Sequence, residues 1–143
     1  MDLLIKKLYS DAKLPEKAYD NDAGFDLFYL TKAISANLEP NERRLISTGI
    51  ACKLPKGYCG ILKDRSGNAT KKGLHVLAGI IDEAYTGQIK VCIVNLSDKK
   101  VTINAGDKIA QMLIVPVPKA VIKEVDELEE TDRGDSGFGS TGN

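Results

Sequence analysis

The 143-residue sequence has no tryptophan, a single histidine and only three cysteines, and its twenty basic residues are cancelled by twenty acidic ones. Each shortage excludes something. A formal net charge of zero removes the basic field that draws a chain onto nucleic acid or an anionic membrane, so any anion site has to be local. Cys52, Cys59 and Cys92 are odd in number, show no C-x-x-C spacing and sit in apolar, strand-like runs. They read as buried reduced thiols. With His75 the sole histidine, the four close ligands of a zinc site are missing. Long apolar runs are absent too: Val76 to Ile81 and Met112 to Val117 fall far short of the ~20 residues of a membrane helix, and MDLLIKKLYS contains no signal core. The expectation is a soluble cytoplasmic protein, one domain long, with neither membrane nor nucleic acid as partner.

What is present is a rhythm of short β-branched segments cut by turn residues. Leu3–Leu8, Phe25–Tyr29, Arg44–Ser47, Gly49–Leu54, Tyr58–Lys63, Gln88–Asn95, Val101–Ile103, Lys108–Val115 and Val121–Val125 read as strands. Pro40-Asn41, Pro55-Lys56-Gly57, Ser97-Asp98-Lys99 and Asn104-Ala105-Gly106-Asp107 supply the reversals. No amphipathic helix of 10–15 residues separates the strands, which argues for an all-β sandwich or barrel over a parallel α/β fold. Ser66–Lys72 could form a turn or two of helix, and Val121, Val125 and Leu128 share a helical face, although the same segment suits a strand equally.

The end of the chain has a different composition. Residues 124–132 hold six acids in nine positions, and RGDSGFGSTGN follows with four glycines. Such a segment cannot bury enough apolar surface to order itself. It reads either as a frayed terminus or, given Arg133, the hydroxyls of Ser140 and Thr141 and the lone ring of Phe138, as a cap for a phosphorylated aromatic ligand.

Three other segments carry polar groups that barrel strands do not need. Asp64-Arg65-Ser66-Gly67 sets a guanidinium, a hydroxyl and a glycine at a candidate helix start. These donors suit phosphate, although Ser66 could equally be an N-cap and Arg65 a surface residue. Asp82 follows the six-residue apolar run from Val76, a place where partial desolvation tunes a carboxylate as a base; a turn carboxylate capping amides would look the same, and Tyr85 could be ordinary packing. Gln111 in Gly106-Asp107-Lys108-Ile109-Ala110-Gln111 alternates with apolar residues and either faces a polar interior or bonds a ligand, although for it alone a solvent-facing position is the favoured reading.

Taken together, AGFDL at 23–27, DRSG at 64–67, GIIDEAYTG at 79–87, GDKIAQ at 106–111 and RGDSGFGSTG at 133–142 resemble the five ordered motifs of the trimeric dUTPase family. The likeness spans nearly the whole chain, and its I-D-x-x-Y-x-G and glycine-rich tail motifs are highly specific.

The resemblance implies a distorted jelly-roll barrel over residues 1–123 and a flexible C-terminal arm over 124–143. It implies a homotrimer in which each active site draws on more than one subunit, and an extended arm instead of a helix. It implies hydrolysis of dUTP to dUMP and pyrophosphate with Mg²⁺. Asp82 would hold the 3′-OH and orient or deprotonate the attacking water. Val76, Leu77, Ala78, Gly79 and Ile81 would form a hairpin reading uracil through backbone groups, and Tyr85 would exclude a ribose 2′-OH. Arg65, Ser66, Gly67 and Gln111 would grip the triphosphate, with Asp26 reaching the metal through water. Arg133, Gly139, Ser140 and Thr141 would cover the distal phosphates and Phe138 would stack on uracil.

Departures from the family pattern are Ala84 where aspartate is usual, Asp64 where proline is frequent and Asn68 where leucine is frequent. Asp64 could orient the Arg65 guanidinium or offset its charge, and Glu83 is no assured substitute for the acid missing at 84. The rival readings are a dCTP deaminase, alone or bifunctional, and a non-catalytic dUTP-binding regulator; the second would be marked by loss of Asp82, which is present.

Overall fold

The computed structural model describes residues 1–137. Along these, strands β1 (Leu4–Lys7), β2 (Phe25–Phe28), β3 (Ala36–Leu38), β4 (Arg43–Lys53) and β5 (Tyr58–Lys63) are followed by helix α1 (Ser66–Lys72). Strands β6 (Leu74–Leu77), β7 (Ile80–Ile81), β8 (Gln88–Asn95), β9 (Val101–Ile103) and β10 (Lys108–Pro116) complete the order. One sheet runs β1-β4-β8-β6, a second β2-β10-β5-β7, and β3-β9 form a small ribbon. All the strand pairs are antiparallel.

Alternation places the core. In β8, Ile89, Val91, Ile93 and Asn95 point inward while Lys90 faces out, and the three aliphatic side chains meet Leu27, Leu62 and Met112 of the second sheet in one apolar cluster. Among the described residues the buried polar side chains are satisfied. Thr48 Oγ1 donates to Ile89 O at 2.6 Å, and Asn95 Nδ2 donates to Leu38 O and Lys99 O, fastening the ribbon to the end of β8.

The structure departs from the sequence reading of the strands and thiols in several places. Arg44–Ser47 and Gly49–Leu54 are one strand, β4, whose pairing with β8 shifts register between Ser47 and Ala51. Gly49, at φ 76°, kinks the strand without reversing it, and a Cβ there would lie 2.6 Å from Leu30 Cδ1. Val121–Val125 is neither strand nor helix: the chain from 117 to 131 has no regular structure and is exposed. β3, too short to show a period, was not expected. Of the three thiols only Cys52 is buried; Cys59 and Cys92 are partly exposed because their side chains lie on the outer side of the pleat.

Candidate active site

The second sheet lines up three of its positions in a row. Gln111 on β10 lies opposite Asp26 on β2 and, across its other edge, opposite Lys63, the last residue of β5. Directly opposed residues share a face, so the carboxylate and the amide stand side by side where β5 gives way to Asp64 and Arg65. Gly24 makes room for them: a Cβ at that position would come within 2.7 Å of Gln111 Oε1. Gln111 Nε2 donates to Asp64 O at 2.8 Å, so its side chain faces into the site and not into solvent.

Arg65, extended at φ −83° and ψ 135°, precedes α1 as its N-cap. It makes no side-chain cap bond, so its guanidinium is free to turn to the sheet, where Nε donates to Asp26 Oδ1 at 2.7 Å. Ser66 is therefore the first helical residue and not the cap considered from the sequence. Asn68 Nδ2 donates to Lys108 O at 3.0 Å, pinning the helix to β10. The other oxygen of Asp26 meets Lys108 Nζ at 2.9 Å, and the same ammonium reaches Glu16 Oε1 at 3.0 Å. Those two carboxylates, Asp26 first, hold the Lys108 pKa above its ordinary value. Lys108 got no role in the sequence reading; a bulge between Lys108 and Ala110 brings it opposite Phe28, on the face Asp26 occupies. Asp22, Ala23, Gly24, Asp26, Arg65, Ser66, Gly67 and Gln111 line a cavity of about 310 Å³.

Asp82 and Tyr85 stand elsewhere. β7 forms the edge of the sheet opposite to β2, with β5 and β10 between, and just beyond it a turn closes with Tyr85 N donating to Asp82 O at 3.0 Å. Tyr85 Oη donates to Gln88 O at 2.8 Å, and a Cβ on Gly87 would come within 2.6 Å of that hydroxyl, so the glycine lets the ring fold back. Both residues, with Leu45, Ile80 and Lys90, line a second cavity of about 390 Å³. Asp82 is exposed, so packing within one chain does not supply the desolvation expected for it. Glu83 is engaged elsewhere: its Oε2 accepts from Gly57 N at 2.7 Å, so it does not stand in for an acid at 84.

The run Val76–Ile81 is not a hairpin whose strands pair with each other. β6 pairs with β8 in the first sheet and β7 with β5 in the second. The chain changes sheets through Ala78 and Gly79, both left-handed at φ 59° and 101°. Gly79 cannot carry a side chain, since its Cβ would lie 2.8 Å from Leu62 O. Leu62 N donates to Gly79 O and Val76 N to Asp64 Oδ1, whereas among the described residues no hydrogen bond engages the N–H or C=O of Ala78 or the N–H of Gly79.

The structure thus groups Asp26, Arg65, Ser66, Gly67 and Gln111, and separately Asp82 and Tyr85. Arg133 joins neither; it sits in an exposed turn and donates from Nε to its neighbour Ser136 O at 2.9 Å. Phe138, Gly139, Ser140 and Thr141 lie outside the described residues. Among the described residues no three acid, histidine or cysteine side chains gather as metal ligands, and no helix is long and apolar enough to cross a membrane.

The family model described as dUTPase matches residues 10–142. The chain is similar to the deoxyuridine 5′-triphosphate nucleotidohydrolase of Hydrogenobaculum sp., at 51% identity over 99% of both chains. Its fold is similar to that of a mutant Staphylococcus bacteriophage 80alpha dUTPase with dUpNHpp, at TM-score 0.90, 32% identity and 99% coverage of both chains. It is also similar to a mutant dUTPase from phage phi11 of S. aureus, whose structure details the coordination of a structural Mg(II) ion, at TM-score 0.82 and 31% identity over 91% of this chain and 100% of that one.

Proposed function

The chain belongs to the dUTPase family, and from that premise we propose how its residues hydrolyse dUTP to dUMP and pyrophosphate. The observation that carries the proposal is the division of polar groups between two cavities. One holds Arg65, Ser66, Gly67 and Gln111, donors suited to a triphosphate; the other holds Asp82 and Tyr85, suited to a sugar and an attacking water. In a single copy the two cavities share no lining residue, so a complete site joins the first cavity of one copy to the second cavity of another.

Exposed apolar side chains support that assembly. Leu45 and Ile80 beside Asp82, Val121 and Ile122 just before the arm, and Leu128 within it are more than half exposed in the single chain and require cover. A homotrimer, in which residues 124–143 of one copy cross to a site made by the other two, supplies it. In that assembly Arg133, Ser140 and Thr141 close over the distal phosphates, Phe138 covers the base, and bulk water is excluded once substrate binds.

In the joined site Arg65 and the Ser66–Gly67 backbone neutralise and orient the phosphates, and Gln111 adds a donor beside them. Asp82 accepts the 3′-OH and a proton from the water aimed at the α-phosphorus. Tyr85 packs where a 2′-OH would project. Ala78 and Gly79 present free backbone groups to the Watson–Crick edge of uracil, so cytosine would leave buried groups unpaired.

Magnesium, when bound, would neutralise triphosphate charge. Mg²⁺ commonly keeps several waters and enters on phosphate oxygens with one or two carboxylates nearby. Asp22 and Asp26 in the first cavity fit that arrangement, and because cations already engage both Asp26 oxygens, its contact with the ion would run through water.

Pyrophosphate release measured on dUTP, dTTP, dCTP and UTP tests the reading. Release from dUTP alone, without ammonia from dCTP, is expected. Absence of dUMP after incubation with dUTP and Mg²⁺ would overturn it.

A further inference from the structure

The side chain of Asp64 makes contacts that neither the phosphate grip nor the water-activating step uses. Its carboxylate turns away from the adjacent Arg65 and spends both oxygens on β6: Oδ1 accepts from Val76 N at 2.6 Å and Oδ2 pairs with His75 Nδ1 at 2.7 Å. Its backbone carbonyl takes the amide of Gln111 at 2.8 Å. β6 is the edge strand of its sheet, paired only with β8, and Asp64 supplies an acceptor to an N–H on its other edge. Two residues away, Leu62 N donates to Gly79 O at 2.7 Å. The end of β5 therefore clamps the sheet-crossing segment at two points, Val76 and Gly79, with the left-handed Ala78 between them.

We propose that Asp64 is a positioning residue for base selection, setting the Val76–Gly79 backbone at the distance that fits uracil. This rests on the reading of that segment as the base-binding one. The physical reason is local. Ala78 and Gly79 can read a Watson–Crick edge only if their amides and carbonyls stand still, and the turn has no side-chain hydrogen bonds of its own. The Val76 N–H is the first backbone donor before the turn that is held by a side chain, and a charged acceptor holds it more strongly than a neutral one. His75, on the same strand, fixes the second oxygen and keeps the carboxylate from swinging toward Arg65.

The test is steady-state hydrolysis of dUTP and dCTP by wild type, Asp64→Ala, Asp64→Asn and Asp64→Glu. Asp64→Ala is expected to lower the dUTP-to-dCTP ratio of kcat/KM by about tenfold, the worth of one well-made hydrogen bond. The loss should lie in KM for dUTP, with kcat within about twofold, because the groups touching the α-phosphorus are untouched. Asp64→Asn keeps an oxygen acceptor for Val76 and should retain the ratio to within about threefold. Should Asp64→Ala fail to fold, Asp64→Glu, with its carboxylate displaced by one methylene, carries the test and should lose at least about threefold. A wild-type ratio in Asp64→Ala, or in Asp64→Glu where that stands in, overturns the proposal. So does an Asp64→Asn ratio as low as that of Asp64→Ala. Amide exchange separates this outcome from failure of the underlying reading: dUpNHpp should protect the Ala78 and Gly79 amides in the wild-type protein. If it does not, the segment is not the base reader, whatever the variants do.

Discussion

Asp26 accepts from Arg65 Nε at 2.7 Å with one oxygen and holds Lys108 Nζ at 2.9 Å with the other, so one nearly buried carboxylate sets the positions of two cations. Asp26→Ala would leave those cations facing each other. It is expected to destabilise the fold by about 2 kcal/mol, less than a fully buried pair because Arg65 keeps some solvent contact. It should also cut kcat/KM for dUTP at least about tenfold, since Arg65 loses its orientation. Urea denaturation and kinetics check both; an unchanged midpoint would show that Asp26 organises nothing.

The Lys108 ammonium gains Asp26 and Glu16 on folding, which raises its pKa above the ordinary 10.5. Its contribution is then complete below 10.5 and disappears as pH rises through the higher folded value. Melting temperature should fall above pH 10.5 more steeply in wild type than in Lys108→Met, as followed by circular dichroism. Parallel curves would contradict the pairing.

Asp82→Asn is expected to abolish turnover while leaving dUpNHpp binding within about tenfold, because the amide can still meet the 3′-OH but cannot take a proton from water. Calorimetric titration beside a product assay decides it; retention of most of the rate would remove Asp82 from the chemistry.

Deleting residues 132–143 should reduce turnover by about two orders of magnitude or more with little effect on thermal stability, since the described part of this stretch is exposed apart from half-buried Gly137. Light scattering of the intact protein should give three times the 15.5 kDa chain mass. A fully active monomer would contradict a site shared between copies.

Gly87→Ala would drive a methyl group into the Tyr85 hydroxyl, 2.6 Å from the ideal Cβ position. The displaced ring should admit a ribose, raising UTP hydrolysis relative to dUTP by about tenfold. Competition between the two nucleotides measures this directly.

Much of this architecture is legible in the sequence. Tyr58–Lys63, Gln88–Asn95, Val101–Ile103 and the helix at Ser66–Lys72 match their expected bounds because alternation, turn residues and the glycine at 73 all point the same way. β6 and β7 read as one apolar run, since hydrophobicity is the same whichever sheet a strand joins and only the left-handed pair at 78–79 marks the change. The grouping of Arg65 with Asp26 and Gln111 follows from the motifs, but the part played by Lys108 depends on a bulge that no periodicity reports. The direction of Asp64 could not be read either: a carboxylate beside an arginine suggests a pair, and the geometry gives it to His75 and Val76 instead.

The crossing at Ala78 and Gly79 joins the two layers of the sandwich at the segment proposed to read the nucleobase. Fidelity then depends on how firmly the layers are seated on each other, and not only on groups that touch the ligand. Core substitutions that let one layer slide by a few tenths of an ångström would be felt as misreading before they were felt as unfolding.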